Sequence, residues 1–124
     1  MRWYAALMAL TIAAPVAAQD AVTVTLTNFH FTPGALTFHH GQPYILRIVN
    51  AASGGHNFVA PEFFAASTMS PTERAKAPGG KVDLSGGESA ELRFIAPARP
   101  GSYKVKCSHF LHSSFGMTGT ITVD

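Results

Sequence analysis

The sequence predicts an all-β fold: a two-sheet β-sandwich with one short helical excursion. Three observations carry it. Short runs alternate apolar with polar side chains at the two-residue period of a half-buried strand, as in Val22-Thr23-Val24-Thr25-Leu26-Thr27. Glycine, proline and serine clusters punctuate those runs at close intervals. Only the stretch from Pro61 to Ala77 breaks the rhythm.

The chain opens on what reads as an export signal over residues 1–18: Arg2, an apolar run from Trp3 to Ala14, then Pro15-Val16-Ala17-Ala18 with small residues at the cut. That run is too short and interrupted to span a bilayer, which takes about 20 apolar residues. Residues 19–124 form one domain, too small for a second lobe. After Val22–Thr27, Pro33-Gly34 turns the chain into a short strand from Ala35 to His39. Gly41-Gln42-Pro43 turns it again into Tyr44–Val49. The loop Ala52-Ser53-Gly54-Gly55 leads to an extended piece at His56–Val59. Ser70-Pro71-Thr72-Glu73 has the form of a helix start, with a serine cap, proline in first position and glutamate three residues after the cap. Extended structure resumes at Lys81, and further strands are expected at Ala90–Ile95, Tyr103–Lys106 and Met117–Val123.

Charge and cysteine content exclude several functions. Nine Lys and Arg against seven Asp and Glu give a formal net charge of +2, which falls by one with Arg2. No basic field for nucleic acid remains. The one cysteine, Cys107, excludes an internal disulfide, a thiolate-rich zinc site and a four-cysteine iron–sulfur cluster. Ser113-Ser114 lack a Gly-x-Ser-x-Gly elbow and read as loop polarity. His39-His40, His30, Lys104 and Lys106 are most simply solvated or packed residues.

The informative segment runs from Cys107 to Met117, between two predicted strands. It holds a thiolate donor, an imidazole at His112 and a thioether at Met117, with four residues in each gap. Two histidines, one cysteine and a weak axial methionine form the copper arrangement used for electron transfer. The missing imidazole is best supplied by His56, whose preceding glycines permit close backbone approach to an ion. Free cysteine alone is commonly a buried core residue, and Met117 opens an apolar strand. The combination, not any one residue, favours metal.

These residues resemble the cupredoxins of the azurin, plastocyanin and amicyanin kind over essentially the whole of Ala21 to Asp124. The matching pieces are Phe31-Thr32-Pro33, Leu36-Thr37, Gly41-Gln42-Pro43, Gly55-His56-Asn57-Phe58 and the segment from Cys107 through Val123. The resemblance implies a Greek-key sandwich with one type 1 copper ion. His56, Cys107 and His112 would be equatorial ligands and Met117 the axial one. It also implies a hydrogen bond from the Asn57 backbone N–H to the Cys107 sulfur, of the kind that tunes redox potential. Plastocyanin-like loops place the histidine nearer the cysteine, so His109 is a rival ligand. The equal spacers favour His112, as in the mononuclear copper loop of multicopper oxidases. Glycine before the histidine resembles azurin, which leaves a distant contact from the Gly55 carbonyl open.

The leading function is single-electron transfer by Cu(I)/Cu(II) cycling in the exported space, periplasmic or secreted. The alternative is a carrier or scavenger that delivers or buffers Cu(I). An enzyme is disfavoured: multicopper oxidases and copper nitrite reductases use several such domains, and the oxidase loop flanks its cysteine with histidines, where this chain has Lys106 and Ser108. Redox partners are expected to dock transiently near His112, on an apolar rim of Phe110, Leu111 and Phe115. Neither a membrane span after signal removal nor an oligomer is expected.

Overall fold

A computed structural model of the chain describes residues 19–109 and 117–124. Among the described residues nine strands form: β1 (Asp20–Thr27), β2 (His30–Thr32), β3 (Ala35–Phe38), β4 (Pro43–Asn50), β5 (His56–Val59), β6 (Lys81–Leu84), β7 (Ser89–Ile95), β8 (Gly101–Lys106) and β9 (Thr118–Val123). In β4 the alternation is complete. Tyr44, Leu46, Ile48 and Asn50 are buried, and the residues between them are not.

The strands divide into a four-stranded sheet ordered β2-β1-β4-β7 and a five-stranded sheet ordered β3-β9-β8-β5-β6. Each contains one parallel pair, β1 with β4 and β3 with β9, and is otherwise antiparallel. The apolar inner faces of both sheets make one core. The all-β sandwich expected from the sequence is the fold observed. One strand, β2, exceeds the expected set. β6 occupies the segment where extended structure was expected to resume, and β2 pairs back on β1 through the two-residue turn Asn28-Phe29. Phe29 sits at φ 64°, a left-handed backbone that a bulky side chain rarely adopts, so no turn signal marked this hairpin.

The helical excursion contains two helices, α1 (Pro61–Ala66) and α2 (Pro71–Arg74). Phe63 and Phe64 of α1 are buried and close one end of the sandwich. The Ser70 side chain accepts the Glu73 N–H at 3.2 Å and Pro71 takes the first helical position, so α2 starts as the sequence signature requires. Thr68 pairs with Ile95 through two backbone hydrogen bonds, of 3.0 and 2.8 Å, which tie the excursion to β7.

An aromatic cluster fills the end of the core beneath α1. Phe38 lies 4.8 Å from Tyr44, 5.5 Å from Phe63 and 5.3 Å from Phe94, ring centre to ring centre. Tyr44 is the second residue of β4 and Asn50 the last, so at about 3.3 Å per residue roughly 20 Å of strand separates this cluster from the opposite end. His56, Cys107, Met117 and the β1–β2 turn all belong to that opposite end. Among the described residues no helix is long and apolar enough to cross a membrane.

Candidate metal centre

His56 is the first residue of β5, and Cys107 follows the last residue of β8. The two strands are neighbours in one sheet, paired through Val59 and Lys106. Strand alternation turns His56 and Phe58 inward, and both side chains are buried. Cys107 is completely buried, and its sulfur lies 3.8 Å from His56 Nδ1. The Asn57 backbone N–H donates to the same sulfur at 3.5 Å.

The other imidazole nitrogen has its own contact. His56 Nε2 lies 3.4 Å from Asn28 Oδ1, an oxygen that only accepts. This contact favours the proton on Nε2 and leaves the Nδ1 lone pair facing Cys107. Asn28 reaches it because the turn with Phe29 in left-handed conformation folds β2 back on β1.

Met117 immediately precedes β9 and is fully buried. Its carbonyl accepts the Cys107 N–H at 3.1 Å, which closes the base of the loop between them. His112, with Phe110, Leu111 and Phe115, lies outside the described residues. The structure therefore brings together His56, Cys107 and the Met117 backbone. His109 stands at the rim of the same end, exposed, with its ring centre 6.3 Å from that of His56. Its Cε1 would lie 3.2 Å from a β-carbon added at Gly55, so glycine leaves room for the ring. Among the described residues no three His, Cys, Asp or Glu side chains gather into a cluster.

The donor spacing fits a metal. With zinc–ligand lengths as reference, a thiolate sulfur at about 2.3 Å and an imidazole nitrogen at about 2.0 Å, subtending about 120° at one ion, lie about 3.7 Å apart. The observed separation of Cys107 Sγ and His56 Nδ1, 3.8 Å, is close to it. A soft thiolate beside an imidazole suits copper.

Three further residues hold these donors in place, and sequence reasoning passed over them. Asn50 ends β4 fully buried, and its Nδ2 donates to the carbonyls of Gly54, Leu84 and Ser85 at 2.9, 3.2 and 3.1 Å. Its Oδ1 accepts the Ala52 N–H at 3.0 Å, so one side chain shapes the loop that presents His56. Asp83 accepts from Asn57 Nδ2 at 3.0 Å, and Ser108 binds the same carboxamide twice. An asparagine closing an apolar strand was the one visible signal. Asp83 carried none, because its partner lies on another strand. Beside this loop the Ser85 hydroxyl and backbone N–H bind the Glu88 carboxylate, at 2.6 Å for the backbone, and hold its pKa below the ordinary value.

The sequence pattern of the cupredoxin-like domain family matches residues 1–123. No curated protein sequence matches the chain. Among solved structures, the dithionite-reduced auracyanin of the photosynthetic bacterium Roseiflexus castenholzii is similar over 87% of this chain and 99% of its own, with 21% identity and a TM-score of 0.63. Auracyanin A of Chloroflexus aurantiacus, described as a "blue" copper protein, is similar over 86% of this chain and 100% of its own, with 20% identity and a TM-score of 0.62. The multicopper oxidase mgLAC is similar over 86% of this chain but only 39% of its own, with 20% identity and a TM-score of 0.66. At these identities the likeness is one of fold.

Proposed function

The chain belongs to the cupredoxin-like domain family, and from that premise we propose that it is an exported, monomeric type 1 copper protein that carries single electrons. The observation that carries the reading is the buried Cys107 sulfur, 3.8 Å from His56 Nδ1 and under the Asn57 N–H. His56, Cys107 and His112 are proposed as the equatorial ligands and Met117 as the axial one. Copper bound there would supply one-electron exchange between Cu(I) and Cu(II). Residues 1–18 are proposed as the signal that directs the chain to the periplasm or out of the cell.

Each residue of the chain has a task in this reading. Cys107 supplies a soft donor shielded from water and oxidants. His56 presents a neutral nitrogen whose orientation Asn28 helps to set. Met117 offers a thioether, a weak ligand that favours the reduced ion. Because β5 and β8 are neighbours in one sheet, His56 and Cys107 hold their spacing in either oxidation state, and little reorganisation accompanies the electron. The fold likeness to a protein described as "blue" copper supports the same reading.

Protein-film voltammetry of the copper-loaded chain tests this. Electron carriage requires a reversible one-electron wave with copper retained through repeated cycles. A Cu(I) carrier or scavenger built on the same ligands would instead lose its ion to a Cu(I) chelator during cycling and give a fading wave.

A further inference from the structure

We infer that Asp83, an acidic residue on the outer face of the sheet, is a positioning residue that sets the hydrogen bonding of the Cys107 sulfur through Asn57. The inference rests on the copper reading for its consequence, and on geometry alone for the link itself.

In the β5–β6 ladder Asn57 stands directly opposite Asp83, and Val59 opposite Lys81. Alternation puts these four on the face away from His56 and Phe58. Asp83 divides its two oxygens. Oδ2 lies 3.5 Å from Lys81 Nζ, and Oδ1 accepts from Asn57 Nδ2 at 3.0 Å. Asn57 is buried, and its carboxamide has two more contacts. Nδ2 donates to Ser108 Oγ at 2.8 Å, and Oδ1 accepts the Ser108 backbone N–H at 2.7 Å. The nitrogen and the oxygen of that carboxamide therefore both meet partners, on β6 and at the residue after Cys107.

A carboxylate only accepts and a backbone N–H only donates, so Asp83 and the Ser108 N–H select the same one of two carboxamide orientations. The flipped orientation would set oxygen against the Asp83 carboxylate and NH₂ against the Ser108 N–H. The Ser108 hydroxyl donates or accepts equally and selects neither. Asp83 is thus the side chain that stops the Asn57 carboxamide from turning, and its charge strengthens the bond. The same residue's backbone N–H points at Cys107 Sγ, and its carboxamide holds the neighbour of that cysteine. Loosening the side chain loosens both. Donors to a thiolate set its electron density, so the effect reaches the ion through sulfur.

The test compares Asp83→Ala, which removes the acceptor, with Asp83→Asn, which keeps an accepting oxygen without the charge. Amide hydrogen exchange is measured in the full chain, metal-free and Cu(I)-loaded, and the thiolate-to-copper absorption band in the Cu(II)-loaded chain. The expected result for Asp83→Ala is exchange about tenfold faster at the Asn57 and Ser108 amides, with the remaining amides near wild type, and a shifted band. Asp83→Asn should stay near wild type in both. Wild-type exchange at these two amides in Asp83→Ala overturns the inference, as does an equal acceleration of all amides, which reports only lost stability. Asp83→Asn behaving like Asp83→Ala overturns it too. Absence of any such band in the wild-type chain would remove the copper reading, while the metal-free exchange rates still decide the role of Asp83.

Discussion

Cys107 and His56 are the pair on which the proposed chemistry turns, and each is constrained twice. The sulfur has an imidazole nitrogen on one side and a backbone donor on another. The imidazole faces the sulfur with Nδ1 and Asn28 with Nε2. Replacing Cys107 by serine should abolish the thiolate-to-copper absorption, because that band arises from the sulfur; a visible spectrum of the copper-treated variant checks it. Met117→Leu should keep copper and colour while raising the potential, as loss of a weak axial thioether favours Cu(I). Voltammetry reads that shift, and an unchanged potential would remove Met117 from the site. Cys107 and His56, which the structure brings together, were singled out in the sequence by residue type and by the family resemblance. Asn28, Asn50 and Asp83 were not, because each acts on a partner 26 to 35 residues away, across strands whose register only the fold supplies.

At the scale of elements, the strands were legible wherever alternation survived, as in β1, β4 and β9. The β1–β2 hairpin was not, since its turn uses Asn28-Phe29 in place of a glycine-bearing pair. The α2 start was legible because serine, proline and glutamate stand in capping order. Glu73 does more than its place in that cap required. Burial alone would raise its carboxyl pKa, but the Arg93 backbone N–H at 2.9 Å and the Lys76 ammonium at 3.0 Å outweigh burial and hold it below the ordinary value. A carboxyl depressed on folding contributes stability above its unfolded pKa and loses it as pH falls through the folded one. Glu73→Gln should therefore be less stable than wild type at neutral pH, and the gap should narrow in acid. Urea midpoints at pH 7 and pH 3 measure this, and a gap that widens in acid would contradict the assignment.

The whole molecule separates stability from chemistry along its length. The aromatic cluster around Phe38 and the donors at Cys107 occupy opposite ends of the sandwich, joined by continuous core. Phe38→Leu should cost about 1–2 kcal/mol and lower Tm by about 4–8 °C per kcal/mol. The copper spectrum should stay unchanged, and a shifted spectrum would show that the two ends are coupled. Partner docking is proposed at the donor end. With Phe110, Leu111 and Phe115 as the proposed rim around His112, Leu111→Lys or Phe115→Lys should slow electron exchange and leave the spectrum alone. Stopped-flow rates that match wild type in both variants would move the docking face elsewhere. The low net charge predicts only modest dependence of those rates on salt.

The central claim is that His56, Cys107, His112 and Met117 make one type 1 copper site, and a single sample tests it. One equivalent of Cu(II) is added to the chain lacking residues 1–18, and visible and electron paramagnetic resonance spectra are recorded together. The account predicts an intense visible thiolate-to-copper band with a narrow copper hyperfine splitting. A weak visible spectrum with the wide splitting of ordinary tetragonal copper, or no bound copper at all, would contradict it.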